Sequence, residues 1–132
     1  MLATMDRRQP GGKMTPMRSR VLLVDDHAGF RRSATALLAA EGFDVVGEAA
    51  DGLEALRLAK QLQPDVVLLD IQLPGLDGFA VAGRLVQAGG STVILISSRT
   101  AGQFGGQVEA SEAHGFIPKS RLTGDAIREI LG

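Results

Sequence analysis

Three carboxylates, one hydroxyl and one ammonium stand directly after short apolar runs of strand character. Asp25 and Asp26 follow Val21 to Val24, Asp70 follows Asp65 to Leu69, Ser97 follows Thr92 to Ile96, and Lys119 follows Gly115 to Pro118. Carboxylates brought together repel one another, and such a cluster is stable only where cations neutralise it. Lys119 offers +1 against the formal −3 of Asp25, Asp26 and Asp70, so a divalent ion would close the balance. Oxygen ligands without a thiolate or imidazole favour a hard ion that keeps several waters, which points to Mg2+ before Zn2+. The same set suits phosphoryl transfer, where catalysis is mostly positioning and neutralisation of phosphoryl oxygens, and one carboxylate would be the nucleophile that forms an acyl phosphate.

Those residues converge only if the runs before them lie side by side. From Arg20 onward, short β-branched runs alternate with longer stretches of helical period, the signature of repeated βα units around a parallel sheet. The strands are expected over Val21 to Val24, Phe43 to Glu48, Asp65 to Leu69, Thr92 to Ile96 and Gly115 to Pro118, and helices over Phe30 to Ala40, Leu53 to Leu62, Phe79 to Ala88 and Leu122 to Leu131. Near-continuous Val, Ile and Leu in the first, third and fourth runs marks strands covered on both faces. The stretch Thr100 to Ala113 carries Gly102, Gly105 and Gly106, each costing about 1 kcal/mol against Ala in a helix interior, so its helix should be short, late-starting and mobile. The expected fold is α/β: a doubly wound, flavodoxin-like (βα)5 sheet of five parallel strands in the order 2-1-3-4-5, with ligands bound outside the strand carboxyl ends.

Composition narrows the function classes. The 132 residues suit one domain, with residues 1–19 read as a flexible basic leader and 20–132 as the folded part. The chain has no cysteine, which excludes disulfides, thiolate zinc sites and a cysteine nucleophile. No apolar run approaches the roughly 20 residues that span a bilayer, and residues 1–20 have no apolar core of a secretory signal, so a cytoplasmic protein without membrane contact is expected. The net charge of −1 is unevenly spread: residues 1–20 balance to +4 and residues 21–132 to −5. The acidic folded part argues against direct binding of nucleic acid.

Four segments resemble the receiver domains of response regulators in two-component phosphorelays: VLLVDD (Val21 to Asp26), PDVVLLDIQLPGLDG (Pro64 to Gly78), VILISS (Val93 to Ser98) and AHGFIPKS (Ala113 to Ser120). The resemblance implies that Asp70 is the phosphoacceptor, that Asp26 is a direct Mg2+ ligand with Asp25 assisting, and that the Gln72 backbone carbonyl is a third protein ligand. It further implies that Lys119 pairs with Asp70 and then with a phosphoryl oxygen, that Ser97 donates to the phosphoryl group, and that Phe116 rotates inward as Ser97 shifts. The implied donor is a sensor histidine kinase or histidine phosphotransferase, the implied output a protein target, with phosphorylation-dependent homodimerisation as a further option. Such a module is a phosphoacceptor with no more than self-catalysed phosphorylation and dephosphorylation.

The chain departs from the pattern in places. Many receivers have Pro after the rim lysine, whereas here Pro118 precedes Lys119 and Ser120 follows it. Lys-Ser, with VVGEA (Val45 to Ala49), is similar to receivers that usually precede a helix-turn-helix output, yet the sequence stops where the last receiver helix should end, so a stand-alone receiver is expected. Gln72 and Arg99, two residues beyond Asp70 and Ser97, would flank the phosphoryl group and set its lifetime. Taken singly, each rim residue has a bland role as cap, turn former or solvated charge. Pro74 and Gly75 read as a turn, Asp77 as a helix cap, Arg31 and Arg32 as a solvated helix face, and His27 and His114 as too distant to pair on a metal. The competing functions are an Asp-nucleophile phosphatase, which wants an acid where Gln72 stands, and a receiver half separated from a DNA-binding domain. A nucleotide-binding site would need glycines where Asp25 and Asp26 stand.

Overall fold

The computed structural model describes residues 18–132, so residues 1–17 of the basic leader lie outside the described residues. The elements in chain order are β1 (Ser19–Val24), α1 (Ala28–Ala40), β2 (Phe43–Ala49), α2 (Gly52–Leu62), β3 (Val66–Asp70), α3 (Gly78–Ala88), β4 (Thr92–Ser97), a 3-10 turn (Ala101–Phe104), α4 (Gln107–Ala110), β5 (Gly115–Pro118), a second 3-10 turn (Lys119–Arg121) and α5 (Gly124–Leu131). The five strands form one parallel sheet in the order β2-β1-β3-β4-β5, the expected flavodoxin-like architecture.

The apolar runs are continuous because alternate residues serve different layers. Val21, Leu23, Val66, Leu68, Ile94 and Ile96 pack under α1 and α5 with Leu38 and Ile127. Leu22, Val24, Val67, Leu69, Val93 and Leu95 pack under α2 and α3 with Ala55 and Leu85. With about 1.5–3 kcal/mol for each large apolar side chain fully buried, these layers dominate the stability of the domain. The edges are weaker: β2 buries only its end residues Phe43 and Ala49, and β5 has only four residues.

Register positions the chemistry. Val24 pairs with Leu69, Asp70 with Ile96 and Ser97 with Pro118, so the residues that leave β1, β3, β4 and β5 meet along one rim. The turn after β3 is held at Gly78, the first residue of α3, where a Cβ would collide with the Ile71 backbone. Gly75 supplies the positive φ of +83° in that turn, and the Asp77 carboxylate caps α3 by accepting from the Phe79 amide at 3.0 Å, as the sequence suggested.

Two differences from the sequence expectation have local causes. β1 opens at Ser19, and the preceding Arg18 donates to the carbonyls of Ala39 and Phe43, so order reaches two residues into the expected leader. The expected last helix from Leu122 opens at Gly124, because Thr123 Oγ1 accepts from the Ala126 amide at 3.0 Å and caps it; Leu122 is 7% exposed but lies in extended backbone before that cap. The glycine-rich stretch is short and late as expected: Gly105 and Gly106, at φ +60° and +89°, divide a 3-10 turn from a four-residue α4.

Candidate functional site

Asp70 ends β3 at 2% exposure, Asp25 follows β1 at 0%, and Ser97 ends β4 at 0%; these are the buried polar side chains among the described residues. Lys119 stands on the turn after β5, its Nζ 2.5 Å from Asp25 Oδ2 and 3.3 Å from Asp70 Oδ2. The ammonium therefore bridges two carboxylates, and it also lies 4.5 Å from the centre of the Phe30 ring. Asp25 Oδ2 is buried, and its close partner is the Lys119 ammonium. Asp25 Oδ1 accepts from the His27 amide at 2.8 Å, and Asp70 Oδ1 accepts from the Gln72 amide at 3.0 Å.

The electrostatics of the two buried acids diverge. Burial alone would raise the Asp25 carboxyl, but the Lys119 ammonium and the His27 amide outweigh it and hold it below the usual carboxylate range. Burial prevails at Asp70, helped by repulsion from Asp25, and pushes its carboxyl above that range despite the Gln72 amide and Lys119. Burial would lower Lys119, yet contact with Asp25 and Asp70 raises it. The cation is thus committed, and the excess negative charge of the rim is left over.

Asp26 lies beside this pair with a 35% exposed side chain. His27 Nδ1 lies 3.1 Å from Asp25 Oδ1 and 3.1 Å from Asp26 Oδ1. One donor atom each from Asp25, Asp26, His27 and Asp70 falls within 4.8 Å of all the others, a group able to hold a divalent cation. His114, by contrast, is structural: its Nδ1 accepts from the Val93 amide at 2.9 Å.

The other expected residues are distributed around this centre. Ser97 Oγ donates to Gln72 Oε1 at 3.3 Å and accepts from the Arg99 amide at 3.0 Å, so Gln72 reaches the rim through its side chain. Arg99 is exposed and its guanidinium lies 6.0 Å from the centre of the Phe104 ring, whose edge meets Phe79. Phe116, on β5, is half-buried against the layer under α2 and α3. Arg31 corrects the sequence reading of a solvated face, since its Nε donates to Glu48 Oε1 at 2.9 Å and its Nη1 to the Asp25 carbonyl, pinning the acid pair to β2; Arg32 is exposed as expected. Position alone was the signal for His27 and Arg31, the first following Asp26 and the second facing the same rim one helical turn on. A groove of about 390 Å³, lined by Leu56, Lys60, Arg84 and Ser91, opens at the opposite ends of the strands and touches none of these groups.

A family model for the response regulator receiver domain matches residues 21–131. The chain belongs to the response regulator receiver family. The receiver is 40% identical over 89 residues to the DNA-binding response regulator MtrA of Mycobacterium tuberculosis, covering 66% of this chain and 38% of MtrA. Among solved structures, the signal receiver domain of NarL from Mycobacterium tuberculosis matches at TM-score 0.76 and 35% identity, covering 89% of this chain and 99% of that one. The CheX–CheY–BeF3–Mg2+ complex of Borrelia burgdorferi matches at TM-score 0.73 and 29% identity, covering 86% of each chain. The chain spans about half the length of the curated relatives it matches, 49% and 50% for the first two. Among the described residues no helix is long and apolar enough to cross a membrane.

Proposed function

We propose that the receiver takes a phosphoryl group from the phosphohistidine of a sensor histidine kinase or histidine phosphotransferase onto Asp70, in a Mg2+-dependent reaction that changes its contacts with a protein target. The observation that carries this reading is the Asp70 carboxylate itself, 2% exposed, 3.3 Å from an ammonium and grouped with three further donor residues within 4.8 Å. The donor set fits Mg2+: the three carboxylates of Asp25, Asp26 and Asp70 outnumber the one ammonium, Lys119, that faces them. Asp25, Asp26 and Asp70, with the Gln72 carbonyl, would hold the ion. Bound there, Mg2+ supplies positive charge against the phosphoryl oxygens.

In the transfer, an Asp70 oxygen attacks phosphorus while the bond from phosphorus to the histidine nitrogen breaks, leaving an acyl phosphate on Asp70. A carboxylate whose proton affinity burial has raised is a stronger nucleophile than an exposed one. Lys119, already between Asp25 and Asp70, needs only a small shift to follow the new negative charge. Ser97 would exchange its Gln72 acceptor for a phosphoryl oxygen, and Phe116 would move into the space that this shift opens, altering the face of α4, β5 and α5. Gln72 and Arg99 would govern access of water to the acyl phosphate and hence its lifetime.

This is a signalling role, with no substrate turnover beyond the phosphoryl group on Asp70. The phosphatase alternative lacks its second acid, since Gln72 stands there and its side chain is engaged by Ser97. The charge balance of −5 over residues 21–132 supports contact with protein and not with DNA by this domain. Intact mass after incubation with Mg2+ and acetyl phosphate tests the reading. A labile gain of one phosphoryl group is expected in wild type and not in Asp70→Asn, and no gain in wild type refutes it.

A further inference from the structure

We propose that Arg31 is a positioning residue of the phosphorylation rim, whose guanidinium fixes the peptide between Asp25 and Asp26 and so raises Mg2+ affinity although its own charge opposes the ion. The proposal rests on the reading above that Asp25, Asp26 and Asp70 hold Mg2+. Arg31 lies on α1 with a side chain 18% exposed. Its Nη1 donates to the Asp25 carbonyl at 2.5 Å and its Nε to Glu48 Oε1 at 2.9 Å, so one planar group spans from the loop after β1 to the edge strand β2. The second oxygen of Glu48 accepts from Thr35 Oγ1 at 3.5 Å, one helical turn beyond Arg31, which braces that carboxylate from the same helix.

Near the acids, Arg31 holds a backbone plane. The Asp25 carbonyl and the Asp26 amide belong to one rigid peptide unit, so the guanidinium sets the direction in which the chain leaves Asp25. The Asp25 amide donates to the Ala49 carbonyl at 2.9 Å, and its carboxylate meets the His27 amide and the Lys119 ammonium. Asp25 is thus fixed at its amide, its carbonyl and its side chain. Asp26 is held more loosely, with a 35% exposed side chain whose ion-pair contact is to the 68% exposed ring of His27. The orientation of its carboxylate is therefore inherited from the peptide before it. A surface Arg–Glu pair alone would contribute little, and the added bond to a carbonyl between two acids is what gives Arg31 its role. Charge and positioning have opposite signs here. A guanidinium beside the acids repels Mg2+, so removal of its charge alone would strengthen binding, whereas loss of the held plane weakens it.

The experiment is calorimetric titration of the full chain with Mg2+, alongside urea denaturation and acetyl phosphate labelling across Mg2+ concentrations, for wild type, Arg31→Ala, Arg31→Lys and Arg32→Ala. Arg31→Ala is expected to bind Mg2+ about tenfold more weakly, with its phosphorylation rate restored at saturating ion. Arg31→Lys keeps the charge without the planar fork that meets two acceptors, and a loss of at least about threefold is expected; this variant decides the matter if Arg31→Ala does not fold. Arg32→Ala removes the same charge from an exposed position on the same helix and should bind Mg2+ as wild type does or slightly more tightly. Mg2+ affinity unchanged or raised in the folded Arg31 variants, with only the urea midpoint lowered, makes Arg31 a purely structural residue and overturns the proposal. Equal weakening in Arg32→Ala, or a rate deficit that saturating Mg2+ leaves in place, overturns it too. If wild type binds no Mg2+, it is the underlying metal reading that fails, and the proposal with it.

Discussion

The rim and the connection between β4 and β5 occupy the same side of the sheet and are built on opposite principles. At the rim, Asp25, Asp70 and Ser97 are buried at the ends of central strands, and each is held by a named amide, ammonium or side-chain amide. In the connection, neither the Ala101–Phe104 turn nor α4 contributes a buried residue, and Gly105 and Gly106 break the chain between them. Phe104, Val108 and Ala113 are its partly buried residues packed on the core, with the Phe104 ring 6.0 Å from that of Phe79 and the Arg99 guanidinium 6.0 Å from the Phe104 ring. Charge is thus stored at buried strand ends, beside a connection whose two short helical turns bury no residue.

The comparison can be broken most sharply at Lys119. Lys119→Met removes the cation that touches both buried carboxylates, and a loss of about 3–5 kcal/mol is expected in metal-free buffer, measured by urea denaturation. If divalent ion restores most of that loss, the rim is held by charge balance and not by packing. Gly78→Ala comes next, because its Cβ meets the Ile71 backbone and cannot be relieved by a rotamer change; at least about 2 kcal/mol should be lost, with phosphorylation of Asp70 impaired as the turn after β3 shifts.

Asp70→Asn should have a smaller effect of the opposite sign. The folded-state carboxyl of Asp70 is raised, so its contribution favours folding below the unfolded value and is lost as pH rises through the folded one. At neutral pH without metal the variant should therefore melt above wild type, and the gain should vanish on acidification through the carboxylate range. Asp25, held low, behaves inversely: its stabilisation is present above the unfolded value and disappears as pH falls through the folded one. Melting curves of both Asp→Asn variants across acid to neutral pH separate the two signs.

The connection should register least. Gly106→Ala forces an L side chain to φ +89° and should cost about 1–2 kcal/mol of local order, without lowering Asp70 phosphorylation. Amide exchange over residues 101–110 should already be far faster than in β3 and β4 in wild type. Equal protection in the two regions would remove the contrast drawn here.

Strand identity, sheet order and the rim residues were legible in the sequence because period and strand-end position are local properties that survive folding. The runs before Asp70 and Ser97 read as strands buried on both faces, and in the fold each strand runs one residue further, so that these two residues close it. Helix starts were less legible: Leu122 is apolar and looks helical, and only the Thr123 bond to the Ala126 amide delays α5 to Gly124. Arg31 was misread for a related reason, since a surface arginine and one that reaches Glu48 across the rim have the same helical phase.

What the sequence determined by itself was the inventory of charge and its assignment to strand ends, and through it the excess of carboxylate over ammonium there. Tertiary structure alone decided who pairs with whom. Lys119 bonds Asp25 as well as Asp70, Gln72 engages Ser97 through its side chain, and His27 turns Nδ1 between two acids. Pairing at this range depends on separations of a few ångströms set by strand register and turn geometry, and residues 49 apart in the chain, as Asp70 and Lys119 are, carry no local record of that distance.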